Sequence, residues 1–405
     1  MAYRTEETQG ALTMVTNAVT NAVSRNATMR AAVWTAPGRV DVRDVPYPRV
    51  PDGWLLLRVE YGGICGTDLA IVAGRHPRAT APLVIGHEIV GTVERTGPDG
   101  PPAGTRAVVE PLIACGRCRA CRDQAAHVCR ELELFGIDAA GGLADYMAVP
   151  ADRVVPVRPG VPVRRAAWAE PLAVAVHSVA QARMRGGESV LVFGAGPIGI
   201  LVALVAREAG AARIVIAEPK ASRRRTAAAC GFETVPDGVD PATWFRSANA
   251  SEGADIVFDT AGHPDVAGVL PASARETGTI VLVAVYPDPV ALDLRALCFG
   301  ERRLLGSRVY TRDDLTKAVA LLPDDPLGLD RLPVAVFPLD EAAAAFHEAR
   351  ADDAPMKVLL DIAARSAVDT VADRRLAGGE VAGPATGEGA PEVDLFGTPR
   401  GPAIS

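Results

Sequence analysis

Lysine is nearly missing from this chain. Lys220, Lys317 and Lys357 stand alone among 42 basic residues, and arginine supplies the rest. We read that imbalance as coding bias. Basic excess is missing too: the net charge is −7, with no basic stripe and no interleaving of aromatic and basic residues. That argues against nucleic acid as the main partner. Every apolar run is broken by glycine, proline or charge well short of a membrane span, so no membrane partner is expected. The segment 1–28 is polar and lacks the continuous apolar core of a secretion signal. A cytoplasmic location follows as the expectation. There is no internal repeat.

What the sequence does have is enough chain and apolar content for two ordinary domains: 405 residues, 49% hydrophobic and 22% charged. The segments 1–28 and 364–405 are rich in small and polar residues without periodicity, and read as a mobile extension and a disordered tail. Within the tail, Val393-Asp394-Leu395-Phe396-Gly397 is a weak candidate docking peptide. From Arg30 to about Arg158, within a first domain expected over 29–170, the pattern is short β, as in Arg30–Trp34, Leu55–Val59 and Ile89–Val93, punctuated by glycine and proline. This predicts a small barrel-like domain. A helix should begin after Glu170-Pro171 and run toward Arg185. Strands and helices then alternate: Ser189–Phe193, the helix Pro197–Ala209, Arg213–Ala217, Asp255–Asp259 and Thr279–Val283. Repeated β-α-β units predict a doubly wound parallel sheet over 171–311. The segment 312–363, ending in the strand Lys357–Asp361, should return to the first domain.

The strand Ser189–Phe193 runs into Gly194-Ala-Gly196-Pro197-Ile198-Gly199 and a helix. In that context G-x-G-x-x-G reads as a dinucleotide loop: a tight turn, a close backbone approach to pyrophosphate, and close helix packing. The helix N-terminus offers free N–H groups to phosphate. Glu218 ends the next strand, nineteen residues past Gly199. Its carboxylate suits ribose hydroxyls and repels a 2′-phosphate, so NAD is expected rather than NADP. Arg223, Arg224 and Arg225 follow, as a solvated helix face or as contacts to phosphate. The expected cofactor set is Gly194, Gly196, Pro197, Ile198, Gly199, Glu218 and Arg223.

Seven cysteines are present, and Cys115, Cys118, Cys121 and Cys129 fall within fifteen residues. Without a signal peptide, such clustering favours metal over disulfides. Four thiolates match tetrahedral Zn²⁺ with no open position, which makes the site structural. An iron–sulfur cluster is the chemical rival, and His127 is a bystander in the loop. Cys230 and Cys298 read as core thiols. A second ligand set is scattered over Gly63-Ile-Cys65-Gly-Thr67-Asp68, Gly86-His87-Glu88 and Ala169-Glu170-Pro171-Leu172. Cys65, His87 and a carboxylate would give zinc three protein ligands and leave a position for water or substrate.

Taken together, the Cys-Gly-Thr-Asp, Gly-His-Glu, four-cysteine and Gly-Ala-Gly-Pro-Ile-Gly segments resemble the zinc-dependent medium-chain alcohol dehydrogenases. The Glu170-Pro171-Leu172 segment resembles their polyol branch, that of sorbitol, butanediol and threonine dehydrogenases. The likeness spans about Met29 to Ala363. It implies a GroES-like β-barrel catalytic domain joined to a Rossmann domain, with two Zn²⁺ per chain and NAD. It implies Cys65 and His87 as catalytic zinc ligands, with Glu88 and Glu170 as direct or water-mediated ones. Asp68 would orient His87. Thr67 would contact the substrate oxygen and start a proton relay. The family's relay histidine is missing, since the matching stretch reads Asp68-Leu69-Ala70 and His76 lies in another register.

The expected reaction is hydride transfer between NAD(H) and a secondary alcohol or ketone, with zinc stabilising the charge that develops on oxygen. Candidate substrates are diols, polyols, cyclitols and amino-alcohols such as threonine. A non-catalytic zinc-stabilised NAD-binding scaffold and a zinc-free quinone reductase are the rivals. A homodimer or homotetramer is expected from the resemblance, with Arg303–Gly306 as a strand that could pair across its interface.

Overall fold

The computed structural model describes residues 27–250 and 252–364. Apart from 27, 28 and 364, the two expected mobile ends and the 393–397 stretch lie outside the described residues.

Two large sheets organise the molecule. The first is built around Trp54–Ile64, an eleven-residue strand rich in buried leucine and valine. It pairs antiparallel with Glu88–Arg95, Tyr146–Pro150 and Lys357–Asp361. Arg106–Val109 and Val154–Pro156 extend the sheet on one side, and Val334–Pro338 on the other. The strand Lys357–Asp361 thus carries the chain back into the first sheet, as its sequence position suggested. A smaller sheet of Arg39–Pro46, Thr28–Ala36 and Leu83–Val84 lies beside it. Leu55, Leu57 and Val59 of the central strand are buried in one apolar core that continues through Ala169–Ala182 to one face of the second sheet, at Val190 and Val192.

The second sheet has six strands, all paired in parallel. Ser189–Phe193 and Ala254–Asp259 are its central neighbours. Numbered within this sheet in chain order, the strands run 3-2-1-4-5-6, the doubly wound arrangement that opens a crevice at its switch point. Val190, Leu191, Val192 and Phe193 are all buried, as expected of a strand covered on both faces. Ser189–Phe193, Arg213–Ala217 and Lys357–Asp361 carry the limits expected from their apolar runs.

Two expectations need correcting. The helix read as starting after Pro171 spans Ala169–Ala182. Pro171 sits in its first turn, where a missing N–H costs nothing. Cys298, expected in the core, is exposed. It lies on the short helix Leu294–Phe299, which has no buried residue and leaves Leu294 and Phe299 in solvent as well. The apolar local sequence there serves a surface.

Candidate active site

Cys65 is the N-cap of the helix Gly66–Val72, with extended backbone (φ −101°, ψ 159°). Its N–H donates to Asp68 Oδ2 at 2.9 Å, so the Cys-Gly-Thr-Asp sequence closes its own first turn. Asp68 is fully buried. Its Oδ1 lies 3.5 Å from His87 Nδ1, and neither atom has a hydrogen bond of good geometry among the described residues. The contact is long but falls on the nitrogen that leaves Nε2 for a metal. His87 leads into the strand Glu88–Arg95, and both His87 and Glu88 are buried. One ligand atom from each of Cys65, His87 and Glu88 lies within 4.8 Å of the others. Thr67 is half-buried in the same helix.

Glu170 stands apart from that cluster. It is buried in the first turn of Ala169–Ala182, close to the Tyr310 hydroxyl and within the field of His87. Burial raises its carboxyl above the usual range.

The charges of the cluster compete. Burial alone would push the His87 imidazole down, but Asp68 and Cys65 outweigh it and hold it well above its ordinary value. Burial likewise opposes the Cys65 thiolate, and His87 prevails and lowers it. Cys65 and His87 would offer zinc one sulfur and one nitrogen donor, both ligand types it takes.

The four-cysteine loop meets a sharper test. Cys118 Sγ lies 3.5 Å from Cys121 Sγ and 3.8 Å from Cys129 Sγ, and Cys115 and Cys121 are 4.0 Å apart. Four thiolates around tetrahedral zinc at about 2.3 Å stand about 3.8 Å from one another. Backbone N–H groups of Cys115, Cys118 and Glu131 point at these sulfurs at 3.3–3.4 Å. Such bonds from Cys121 and Arg130 draw the Cys118 thiol down to about 6. His127 is not among the clustered ligands; its ring packs edge-on against His177, 4.9 Å between centres.

The glycine loop fits a nucleotide. Gly194 has φ +98°, and a Cβ at Gly199 would lie 2.0 Å from the Gly194 carbonyl oxygen. At Gly196 the space for a Cβ is open, with only the Arg223 guanidinium near, at 3.8 Å. The loop therefore needs Gly194 and Gly199 for its own shape, whereas Gly196 leaves room for something else. The helix Pro197–Glu208 starts with Pro197 at its first position and no side-chain cap. Its free N–H groups face that room. Glu218 is buried, and its two oxygens accept the N–H groups of Ala195 and Lys220, each at 2.8 Å. Arg224 is turned away, onto the Glu218 carbonyl oxygen and Asp237.

Residues 51–159 match the family described as alcohol dehydrogenase GroES-like domain, and residues 197–324 match zinc-binding dehydrogenase. The chain is 36% identical over 319 residues to the 2-dehydro-3-deoxy-L-galactonate 5-dehydrogenase of Pseudoalteromonas atlantica, covering 76% of this chain and 92% of that one. It belongs to the zinc-dependent medium-chain alcohol dehydrogenases. It is also 31% identical over 338 residues to the D-altritol 5-dehydrogenase of Agrobacterium fabrum, with 82% and 98% covered. Among solved structures, the 2R,3R-butanediol dehydrogenase of Bacillus subtilis superposes with a TM-score of 0.76 at 25% identity, over 82% of this chain and 99% of that one. As a zinc-dependent alcohol dehydrogenase, the protein is an oxidoreductase that exchanges hydride between a nicotinamide cofactor and a small alcohol or ketone.

Two residues of this dehydrogenase escaped the sequence reading. Tyr310 is fully buried, with its hydroxyl beside Glu170. Lys357 is buried and paired with Glu88. Nothing in the local sequence of Tyr310 marks it. Lys357 carried a usable mark: one of only three lysines, it interrupts the apolar run Met356–Leu360. A buried lysine in a strand needs a buried acid.

Proposed function

We propose that this dehydrogenase acts on a secondary hydroxyl within a polyhydroxylated chain, a polyol or sugar acid, with Cys65 and His87 as the principal ligands of its catalytic zinc. The proposal is carried by the convergence of Cys65, His87 and Glu88 within 4.8 Å, at the end of the central barrel strand. Both curated relatives above are named for dehydrogenation at carbon 5 of a polyhydroxylated chain. A carboxylate-rich centre supports the same substrate class.

The roles divide as follows. Zinc, when bound, supplies Lewis acidity toward the substrate oxygen, and NAD supplies the hydride acceptor. Cys65 and His87 fix the metal, Glu88 is the third ligand, and Asp68 sets the orientation of the His87 ring. Thr67 contacts the substrate oxygen and relays its proton onward, giving up its own hydroxyl proton as it accepts the substrate's. Glu170, backed by Tyr310, holds a water at the edge of the centre. Gly194, Gly196, Pro197, Ile198 and Gly199 cradle the pyrophosphate, and Glu218 with Arg223 holds the adenosine ribose. Cys115, Cys118, Cys121 and Cys129 hold a second, structural zinc. We divide the chain at about 170 and 311, with 312–363 completing the catalytic domain.

We also assign a homo-oligomer. Among the described residues the edge strand Arg303–Gly306 has one unpaired side, and Val285, Leu294 and Phe299 are exposed nearby. The thiols, free throughout the described residues, suit a reducing compartment, and we assign the cytoplasm.

Cys65→Ser tests the reading. It should abolish NAD-linked oxidation and one of two zinc equivalents while keeping the other zinc and the fold. Retained turnover in a preparation without that metal would overturn it. A panel of alditols, aldonates, diols and threonine, followed by NADH absorbance, identifies the substrate.

A further inference from the structure

Two long-range contacts join the helix that carries Glu170 to the segment that carries Tyr310. One is the approach of the Tyr310 hydroxyl to the Glu170 carboxylate. The other lies about two helical turns further on, where His177 Nδ1 donates to Asp314 Oδ2 at 2.8 Å, with both residues buried. The same oxygen accepts the Thr311 hydroxyl at 2.6 Å and the Thr311 N–H at 3.0 Å. That closes the cap of the helix Arg312–Ala320 directly after Tyr310. The Tyr310 hydroxyl makes no hydrogen bond of good geometry among the described residues, so nothing local fixes the tip of that ring. Its place beside Glu170 is set by the His177–Asp314 joint.

His177 has a further neighbour, and it comes from the four-cysteine loop. His127 stands in the turn Ala126–Val128, just before Cys129. Its ring meets the His177 ring edge-on, with centres 4.9 Å apart and planes at 69°. Beside that contact a cleft of about 370 Å³ parts the loop from the 310–313 segment, with Ala126 and His127 on one side and Tyr310, Arg312 and Asp313 on the other. The joint has little else to steady it, since the second nitrogen of His177 meets the Gln181 amide at a long 3.4 Å. His127 Nδ1 is buried without a hydrogen bond among the described residues, so the contact is made by the shape of the ring. We infer that His127 is a positioning residue that carries the geometry of the four-cysteine site to the His177–Asp314 joint, and through it to Tyr310 and Glu170. Cys129, held in the four-thiolate set, fixes the turn that presents His127. The loop therefore acts on the catalytic centre as well as on stability.

The inference rests on Glu170 serving the catalytic centre, as proposed above. Wild type, His127→Ala, His127→Phe, Asp314→Asn and the double variant His127→Ala/Asp314→Asn are prepared with zinc in the four-cysteine loop and cobalt at the Cys65–His87 site. Both metals are counted. Cobalt absorption then reports a centre whose ligand set includes none of the substituted residues. Misplacing a group by about 1 Å can cost about 100-fold in rate. His127→Ala should keep both metals and the wild-type KM for NAD, shift the cobalt bands, and lower kcat for the alcohol by about 10–100-fold. His127→Phe keeps an aromatic edge against His177 and should restore the bands and most of kcat. In the Asp314→Asn background His127→Ala should add little, because both act on one joint. Wild-type bands and kcat in a His127→Ala enzyme that holds both metals overturn the inference. So do equal losses in His127→Ala and His127→Phe, or full additivity in the double variant. Asp314→Asn should shift the same bands, and unchanged bands there overturn the inference even where His127→Ala sheds its loop zinc. A Glu170→Gln enzyme with unchanged kcat and cobalt bands overturns instead the reading of Glu170 beneath it.

Discussion

Replacing Glu218 by serine should move cofactor preference from NAD toward NADP. The carboxylate is buried at the end of the second parallel strand and fixed by two backbone N–H groups at 2.8 Å. It cannot swing aside without leaving those donors unpaired, at a cost of about 1–3 kcal/mol each. A 2′-phosphate held about 4 Å away would meet about 4 kcal/mol of repulsion per unit charge at an effective dielectric of about 20. The two N–H dipoles offset part of that. Discrimination of about 10²–10³ in kcat/KM for NAD over NADP is the result, since about 1.4 kcal/mol is a factor of ten. In Glu218→Ser the repulsion is gone, and the Arg223 guanidinium beside the Gly196 opening is free to meet the phosphate. The kcat/KM for NAD should fall about 10–100-fold, from loss of charge-assisted bonds to the ribose. The value for NADP should rise until the two are comparable. Initial rates with each cofactor at saturating alcohol measure both. A wild-type enzyme that prefers NADP, or a variant whose NAD:NADP ratio is unchanged, would refute the reasoning.

Gly199→Ala should raise the KM for NAD and destabilise the protein by about 1–3 kcal/mol, because its Cβ would collide with the Gly194 carbonyl and force the helix off the strand; cofactor titration and thermal melts check both. Cys118→Ser should release one zinc equivalent and lower Tm while Cys65 and His87 still bind metal, which atomic absorption and calorimetry would show. Asp314 is a buried acid whose charge burial opposes, but His177 at 2.8 Å and Thr311 overcome it and draw the carboxyl from 3.8 to about 2. Because the folded value is the lower one, this stabilisation is complete above about pH 4 and fades as pH falls toward 2; it amounts to roughly 2 kcal/mol. Asp314→Asn should therefore melt below wild type at pH 7, with the gap narrowing in acid, and a constant gap from pH 7 to pH 3 would contradict the assignment.

Much of this was legible in the residues because it is local. Ser189–Phe193 and Arg213–Ala217 are apolar, β-branched runs bounded by turn formers, and their limits follow from that alone. The cysteine loop keeps its ligands within one short turn of chain, so spacing nearly dictates geometry. Cys65 with Asp68 is likewise a self-contained cap. What escaped depends on chain brought from far away. Glu170 is legible as a candidate ligand from the Glu-Pro-Leu segment, but its neighbour Tyr310 comes from the segment after the parallel sheet and is not. Glu88 reads as a ligand from its place beside His87, but its pairing with Lys357 is invisible until strand pairing is known. Cys298 departs from expectation for the opposite reason: its neighbours are apolar, but the surface they form has no partner among the described residues.

The route by which the chain closes its first sheet has a consequence for biosynthesis. Cys65, His87 and Glu88 leave the ribosome early, whereas the strand that neutralises Glu88 is the last described one. Until it arrives, the central strand has an open edge and the metal site holds an unbalanced buried acid. The parallel sheet, contiguous from 189 to 306, can assemble before then. A nascent chain should thus acquire cofactor affinity before it acquires a mature metal centre. Synthesis halted between 312 and 357 would leave a nucleotide-binding protein without a finished catalytic barrel.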